Sequence, residues 1–476
     1  MPDATFRQYL TIKPLPDARA RSVDDLYDLV RNLLNDLGAP RTLLLPGSYS
    51  ISDVPSHDWT PQIVGWLGAD PIQLDPDEIV VPCTFTDPDR HDEFRDAVLP
   101  AVDQRLASGT ITAIGADPGG SVADHYCPVH DGAAFATRRE ARRLLALESL
   151  PPDLDELVRG RPKVNVVILD QGLHKGAIPD ANWGGGWAYK LGTPNEERLP
   201  GSSKANSHGA MVARNVLDIA PSAVLYDFPL IPPERIPNVS MFASHANAGY
   251  IILRKTIALL RQDERWRGPW IVVNAWGIFD RRSERPIGDY TEDTNRWGHP
   301  LNKAVGRTVA DRIDVVFAAG NCGQFSMSPR CGPSDRGSGR SIWGANSHRD
   351  VITVGAVLTD EKWLGYSAQG PGQRHLDPEK PDVCAPSQFR DTNDPALLNT
   401  GTSAACALAA GVLATLRSNW DANVVGPAEM KRVLAKSARK APGSELPGHA
   451  GERARWRFGA GIIDAGKAWA ELSGTA

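Results

Sequence analysis

An acid, an imidazole and a hydroxyl stand in three short stretches of this chain: Asp170 in NVVILDQG, His208 in NSHGAMVA and Ser403 in NTGTSAACA. Together these groups can carry out acyl transfer. A serine hydroxyl attacks a carbonyl only when a base takes its proton, and an imidazole is that base near neutral pH. A carboxylate then fixes the imidazole tautomer and balances its transient charge. A fourth group, Asn321, follows the apolar run VVFAAG, where its amide can meet the oxyanion that the attack creates. Each stretch alone is commonplace: an Asp after a strand is usually a turn residue, and SHG, GTS and AAGN occur in many loops. The order Asp, His, Asn, Ser is what points to one site.

The elements around these residues alternate. KVNVVILD, SAVLYDFPL, WIVVNAWG, VVFAAG and VITVGAV are near-continuous apolar runs, the pattern of strands buried on both faces. Helical periodicity fills the gaps at Met211 to Asp218, Ser244 to Arg265 and Leu301 to Arg312. This alternation predicts a doubly wound, mostly parallel α/β sheet. Asp170 then lies at a strand end facing the crevice, His208 at a helix start, and Ser403 at the head of a small-residue helix whose backbone N–H aims at the same crevice. The stretch NWGGGWAYKLGTPNEERLPGSS, between Asp170 and His208, reads as a loop.

The first third differs. Ser22 to Gly38 predicts an amphipathic helix, with Val23, Leu26, Leu29, Val30, Leu33, Leu34 and Leu37 on one stripe. RTLLLPG and DEIVVPCTF predict short strands, and Asp92 to Leu106 a second helix kinked at Pro100. We divide the chain into a small N-terminal α/β domain, 1–135, and a catalytic part, 136–476.

With 476 residues, 41% hydrophobic and 23% charged, the chain has the composition of a globular protein. A net charge of −5 with no basic cluster argues against nucleic acid as a partner. No apolar run reaches the roughly 18 residues of a membrane span, and Ala404 to Leu416 reads as a buried helix. The start of the sequence lacks a signal-peptide pattern, so the expectation is a cytoplasmic protein with no membrane partner. Six cysteines make no metal-ligand spacing and are expected as buried, reduced thiols. Cys322 and Cys331 are the pair that could close a small loop beside Asn321.

From about Lys163 to Trp469 the chain resembles the subtilisin-like serine proteases, the subtilases. The resemblance is carried by NVVILDQGL, SHGAMVARNV, VVFAAGNCG and NTGTSAACALAAG, with VITVGAV, GYSAQGPG, KPDVCAPS and FGAGIIDAGKA in support. It implies a three-layer α/β/α fold around a seven-stranded parallel core. It also implies a serine endopeptidase acting on protein or peptide substrates, with Ser403 as nucleophile, His208 as base then acid, and Asp170 orienting the imidazole. Asn321 would hold the oxyanion, and Ala275, Trp276 and Gly277 would line the primary specificity pocket. Catalysis would require no cofactor. Calcium often stabilises the family, but no acidic loop here defines a site, so no metal ligand is assigned. Residues 1–135 could be a propeptide, or an attached regulatory domain that meets an activating partner. The alternative function is a catalytically silent subtilase fold kept for binding.

Overall fold

The computed structural model describes residues 136–190, 197–231, 239–281, 299–391, 398–441 and 451–474, together with the backbone of six strands between residues 6 and 122. The expected helices at 22–38 and 92–106 and the RTLLLPG strand lie outside the described residues. DEIVVPCTF forms the strand Ile79–Phe85, which pairs antiparallel with Phe6–Ile12 and with Ser50–Ile51.

Three more strands of this region reach the rest of the chain: β1 (Gln62–Val64), β2 (Ile72–Gln73) and β3 (Ser121–Val122). The apolar runs form β4 (Asn165–Leu169), β6 (Val224–Phe228), β7 (Trp270–Asn274), β9 (Ile313–Ala318), β10 (Ile352–Val357) and β11 (Val383–Pro386). Between them lie β5 (Trp183–Lys190) and β8 (Ile278–Asp280). The sheet order is β11-β10-β9-β7-β4-β6-β5-β1-β2, and every pair from β11 to β5 is parallel. This is the expected seven-strand parallel core. β1 joins it antiparallel at β5, so part of the N-terminal third is knitted onto the catalytic sheet.

Side chains alternate across each strand, so a buried parallel strand must be apolar on both sides. In β4, Val166 and Ile168 face one hydrophobic cluster, and Val167 and Leu169 the other. The first face is covered by α1 (His208–Ile219) and α4 (Gly401–Arg417), and the second by α2 (Val239–Leu260) and α3 (Pro300–Ala310). The result is three layers, α/β/α. No described helix is long and apolar enough to cross a membrane.

The glycine-rich stretch expected as a loop contains the eight-residue strand β5. The reason is close packing. A Cβ at Gly184 would lie 2.2 Å from the Tyr226 ring, and one at Gly186 would lie 2.1 Å from the Asp227 carbonyl oxygen. These glycines let β5 approach β6, where loop propensity would have suggested a turn.

Every residue of α4 is buried, and its last one is a charge. Arg417 donates through Nε and Nη2 to the Asp314 carboxylate at 2.6 and 2.7 Å, with side-chain exposures of 0% and 1%. The pair ties the end of α4 to the start of β9. Removing one partner leaves the other charge buried and alone, which costs about 3–5 kcal/mol. Arg417→Met should lower unfolding stability by about that amount in urea titration, and Arg417→Met with Asp314→Asn should recover part of the loss.

Candidate active site

Asp170 sits immediately past β4 at the carboxyl edge of the sheet, with no exposed surface. Its backbone is pinned from both sides: its N–H donates to the Phe228 carbonyl, and its carbonyl accepts from Ile231. Its Oδ1 accepts from the Gln171 N–H at 2.8 Å and meets His208 Nδ1 at 2.8 Å, with Oδ2 3.0 Å from the same nitrogen. A polar group this buried needs such hydrogen-bond donors. His208 opens α1. The cap before it, Ser207, accepts from the Ala210 N–H and donates to the Gly172 carbonyl at 3.0 Å, which ties the imidazole's helix to the turn that carries the acid. Nδ1 is thereby committed to the Asp170 carboxylate, which sets the orientation of the ring.

Ser403 lies in the first turn of α4. The chain enters that helix through Gly401 at φ +73°, a left-handed conformation that side-chain-bearing residues resist. Ser387 donates to the Gly401 carbonyl at 2.7 Å, and the Gly401 N–H donates to the Tyr366 hydroxyl at 3.1 Å. The Ser403 hydroxyl donates to the Ala275 carbonyl at 3.0 Å. Asn321, just past β9, accepts at Oδ1 from the Thr402 N–H at 2.9 Å and from the Thr402 hydroxyl at 3.1 Å. Thr402 Oγ1 in turn accepts from the Gly320 N–H. With Oδ1 so occupied, the Asn321 Nδ2 hydrogens are the ones left to meet an oxyanion.

Ala275, Trp276 and Gly277 follow β7 in that order. Asn346 braces them, donating through Nδ2 to the Trp276 carbonyl at 2.6 Å and the Ala318 carbonyl at 2.8 Å. The Trp276 ring is 3% exposed and meets Phe317 edge-on, so this residue offers the cleft its backbone more than its indole. Thr402, Asn346, Tyr366 and Ser387 were not singled out from sequence. Thr402 alone carried a signal, by its place inside GTS.

The cysteine expectation needs correction. Cys322 and Cys331 are joined, with Cα atoms 5.7 Å apart, in the loop that leaves Asn321. Both are 2% exposed and packed against Phe279, so burial and proximity bring the thiols together. Cys384 and Cys406 are free and buried, as expected. Closing so short a loop restrains the unfolded chain by about 2–3 kcal/mol. Thiol titration of the denatured, unreduced protein should find two fewer thiols than after reduction, and six free thiols before reduction would rule the bond out.

A family model for the subtilase family matches residues 108–461. Among solved structures, the epidermin leader peptide processing serine protease EpiP from Staphylococcus aureus is 13% identical, with a TM-score of 0.50 over 98% of each chain. Fervidolysin from Fervidobacterium pennivorans, a keratinolytic enzyme related to subtilisin, is 15% identical with a TM-score of 0.50. That match covers 98% of this chain and 61% of fervidolysin. No curated protein matches the chain. These structures share the fold, and the family model spans most of the sequence, site residues included: the chain belongs to the subtilase family of serine peptidases.

Proposed function

We propose that this subtilase is an active serine endopeptidase that cuts peptide bonds through an acyl-enzyme. The observation that carries the reading is the buried Asp170–His208 pair, set at the same sheet edge as Ser403 and the Asn321 amide. His208 Nε2 takes the Ser403 proton as Oγ attacks the scissile carbonyl. The imidazolium shares its Nδ1 proton with Asp170. The tetrahedral oxyanion takes donors from Asn321 Nδ2 and the Ser403 backbone N–H. His208 then passes its proton to the leaving amine, and water, deprotonated by the same nitrogen, releases the acyl group. The chemistry so read draws on no cofactor.

The Ser403 hydroxyl, now donating to the Ala275 carbonyl, has to turn toward His208 before it reacts. A substrate backbone N–H that takes the Ala275 carbonyl would release it. Binding and activation of the nucleophile would then be one event, with 275–277 serving as the strand along which substrate lies.

The proposal includes control by the N-terminal third. β3 (Ser121–Val122) pairs antiparallel with β8 (Ile278–Asp280), directly after Gly277. An extended segment at that place competes with substrate for the same line of backbone. A partner that draws it away would activate the enzyme. Against the expected cytoplasmic placement, the Cys322–Cys331 bond favours an oxidising compartment.

Intact masses of wild type and Ser403→Ala, each treated with a fluorophosphonate, test the activity directly. A single adduct on wild type alone is expected. Ser403→Ala should lower turnover by about 10⁶, and Asn321→Ala by about 10²–10³ with a small change in KM. An unlabelled wild type would mean a latent enzyme or the silent binding fold, and labelling of a chain starting at Arg138 would separate the two. For control by the N-terminal third, a chain starting at Arg138 should cleave a peptide faster than the full chain. Equal rates from a folded truncation would remove latency from the reading.

A further inference from the structure

One acid in the core is not used by the chemistry above. Asp227 is the fourth residue of β6, fully buried, in a strand otherwise made of Val224, Leu225, Tyr226 and Phe228. Its Oδ2 accepts two backbone N–H groups, Leu173 at 2.9 Å and Gly201 at 2.7 Å. Leu173 lies on the segment leaving Asp170, and Gly201 on the segment that approaches His208. These two segments run side by side: Ser203 donates to the Leu173 carbonyl, Lys175 donates to the Gly201 carbonyl, and His174 bridges Ser202. One carboxyl oxygen therefore fastens the chain behind the acid to the chain ahead of the imidazole.

We propose that Asp227 is a positioning residue for the triad, holding the Asp170 turn and the His208 approach in the register that the Asp170–His208 hydrogen bond requires. The proposal rests on Asp170, His208 and Ser403 acting as a working triad. Nothing else on β6 could serve, because its other side chains are apolar or, for Tyr226, turned to Asn165. The second oxygen, Oδ1, is buried with no hydrogen-bond partner among the described residues. An ionised carboxylate with one bare oxygen in the core is costly, whereas a neutral carboxyl keeps Oδ2 as an acceptor and carries its proton on Oδ1. Burial accordingly pushes the Asp227 carboxyl up to about 7, with the charge of nearby Asp170 acting in the same direction. Asp227 thus acts as a hydrogen-bond acceptor and need not act as a charge.

That distinction sets the test, made on the full chain. Asp227→Ala removes the acceptor and orphans two buried N–H groups. It should lower kcat by about 10²-fold with little change in KM, the effect expected when reacting groups are slightly misplaced. Asp227→Asn keeps an acceptor oxygen and should restore kcat to within a few-fold. The low-field proton resonance of His208 Nδ1, read in a Ser403→Ala background, reports the same register without turnover. It should be lost in Asp227→Ala and kept in Asp227→Asn. A folded Asp227→Ala with wild-type resonance and kcat would overturn the proposal, and so would an Asn variant as impaired as the Ala one. An inactive wild type with these resonance outcomes would instead sink the triad reading and leave the positioning role standing.

If Asp227→Ala does not fold, pH decides. The native state holds the Asp227 proton up to about pH 7, and the unfolded chain releases it near pH 4. Native protein binds more protons across that window, so stability falls as pH rises through it. Wild type should therefore lose Tm relative to Asp227→Asn between about pH 4 and 7. Parallel curves together with an impaired kcat in Asp227→Asn would mean that the carboxyl acts as a charge, and would overturn the neutral-acceptor reading.

Discussion

Helix α4 is buried along its whole length, and most of the molecule is arranged around that fact. A helix without an exposed face must be small and apolar so that layers can close on it from every side, which is what GTSAACALAAGVLATL provides. The sheet lies against one side and α1 against another. Its polar termini cannot be left to solvent, so each is met by the protein. Arg417 is received by Asp314 at one end, and at the other the first turn is held by Tyr366, Ser387 and Asn321. Ser403 inherits its position from those contacts. A side chain on a wholly enclosed helix needs no flexible loop to aim it.

The same economy governs the polar groups at the sheet's carboxyl edge. A parallel sheet covered on both faces leaves only strand ends for polar side chains, so Asp170, Asn321 and the 275–277 segment all emerge where β4, β9 and β7 stop. Each is then satisfied locally: Asp170 by Gln171 and His208, Asn321 by Thr402, the backbone at 276 by Asn346. The site is thereby preorganised in the sense that matters for charge stabilisation, with donors and acceptors fixed before a substrate arrives.

Much of this was legible in the sequence because burial on two faces leaves a plain trace. VNVVIL, WIVVN and DVVFAA could hardly be anything but interior strands, and the four chemical residues picked out by their order lie at one edge of the sheet they form. What escaped did so for physical reasons. β5 carries Gly184 and Gly186 because its neighbours Tyr226 and Asp227 leave no room for side chains there, and local propensity records only the glycines. The Cys322–Cys331 bond depends on how a loop folds back on Phe279, which spacing alone does not reveal. Asn346 braces the 275–277 segment from a distance of many residues and has no local signature at all. Asp227 did leave one, an acid in the middle of an apolar strand.

The pairing of β1 with β5 has a consequence for any maturation of the chain. β1 covers Gly186, Trp187 and Ala188, whose outward backbone groups would otherwise face water in a row. A glycine-rich strand bordering a large sheet, with Lys190 as its one charge, is a template onto which another chain can hydrogen-bond. Losing the first 135 residues would therefore bare a sticky margin along β5. Two mature copies could zip together there, or a fresh strand from elsewhere could take the vacancy. A protease released in this way would carry a liability for self-association unless the excised piece stays bound by its own strands.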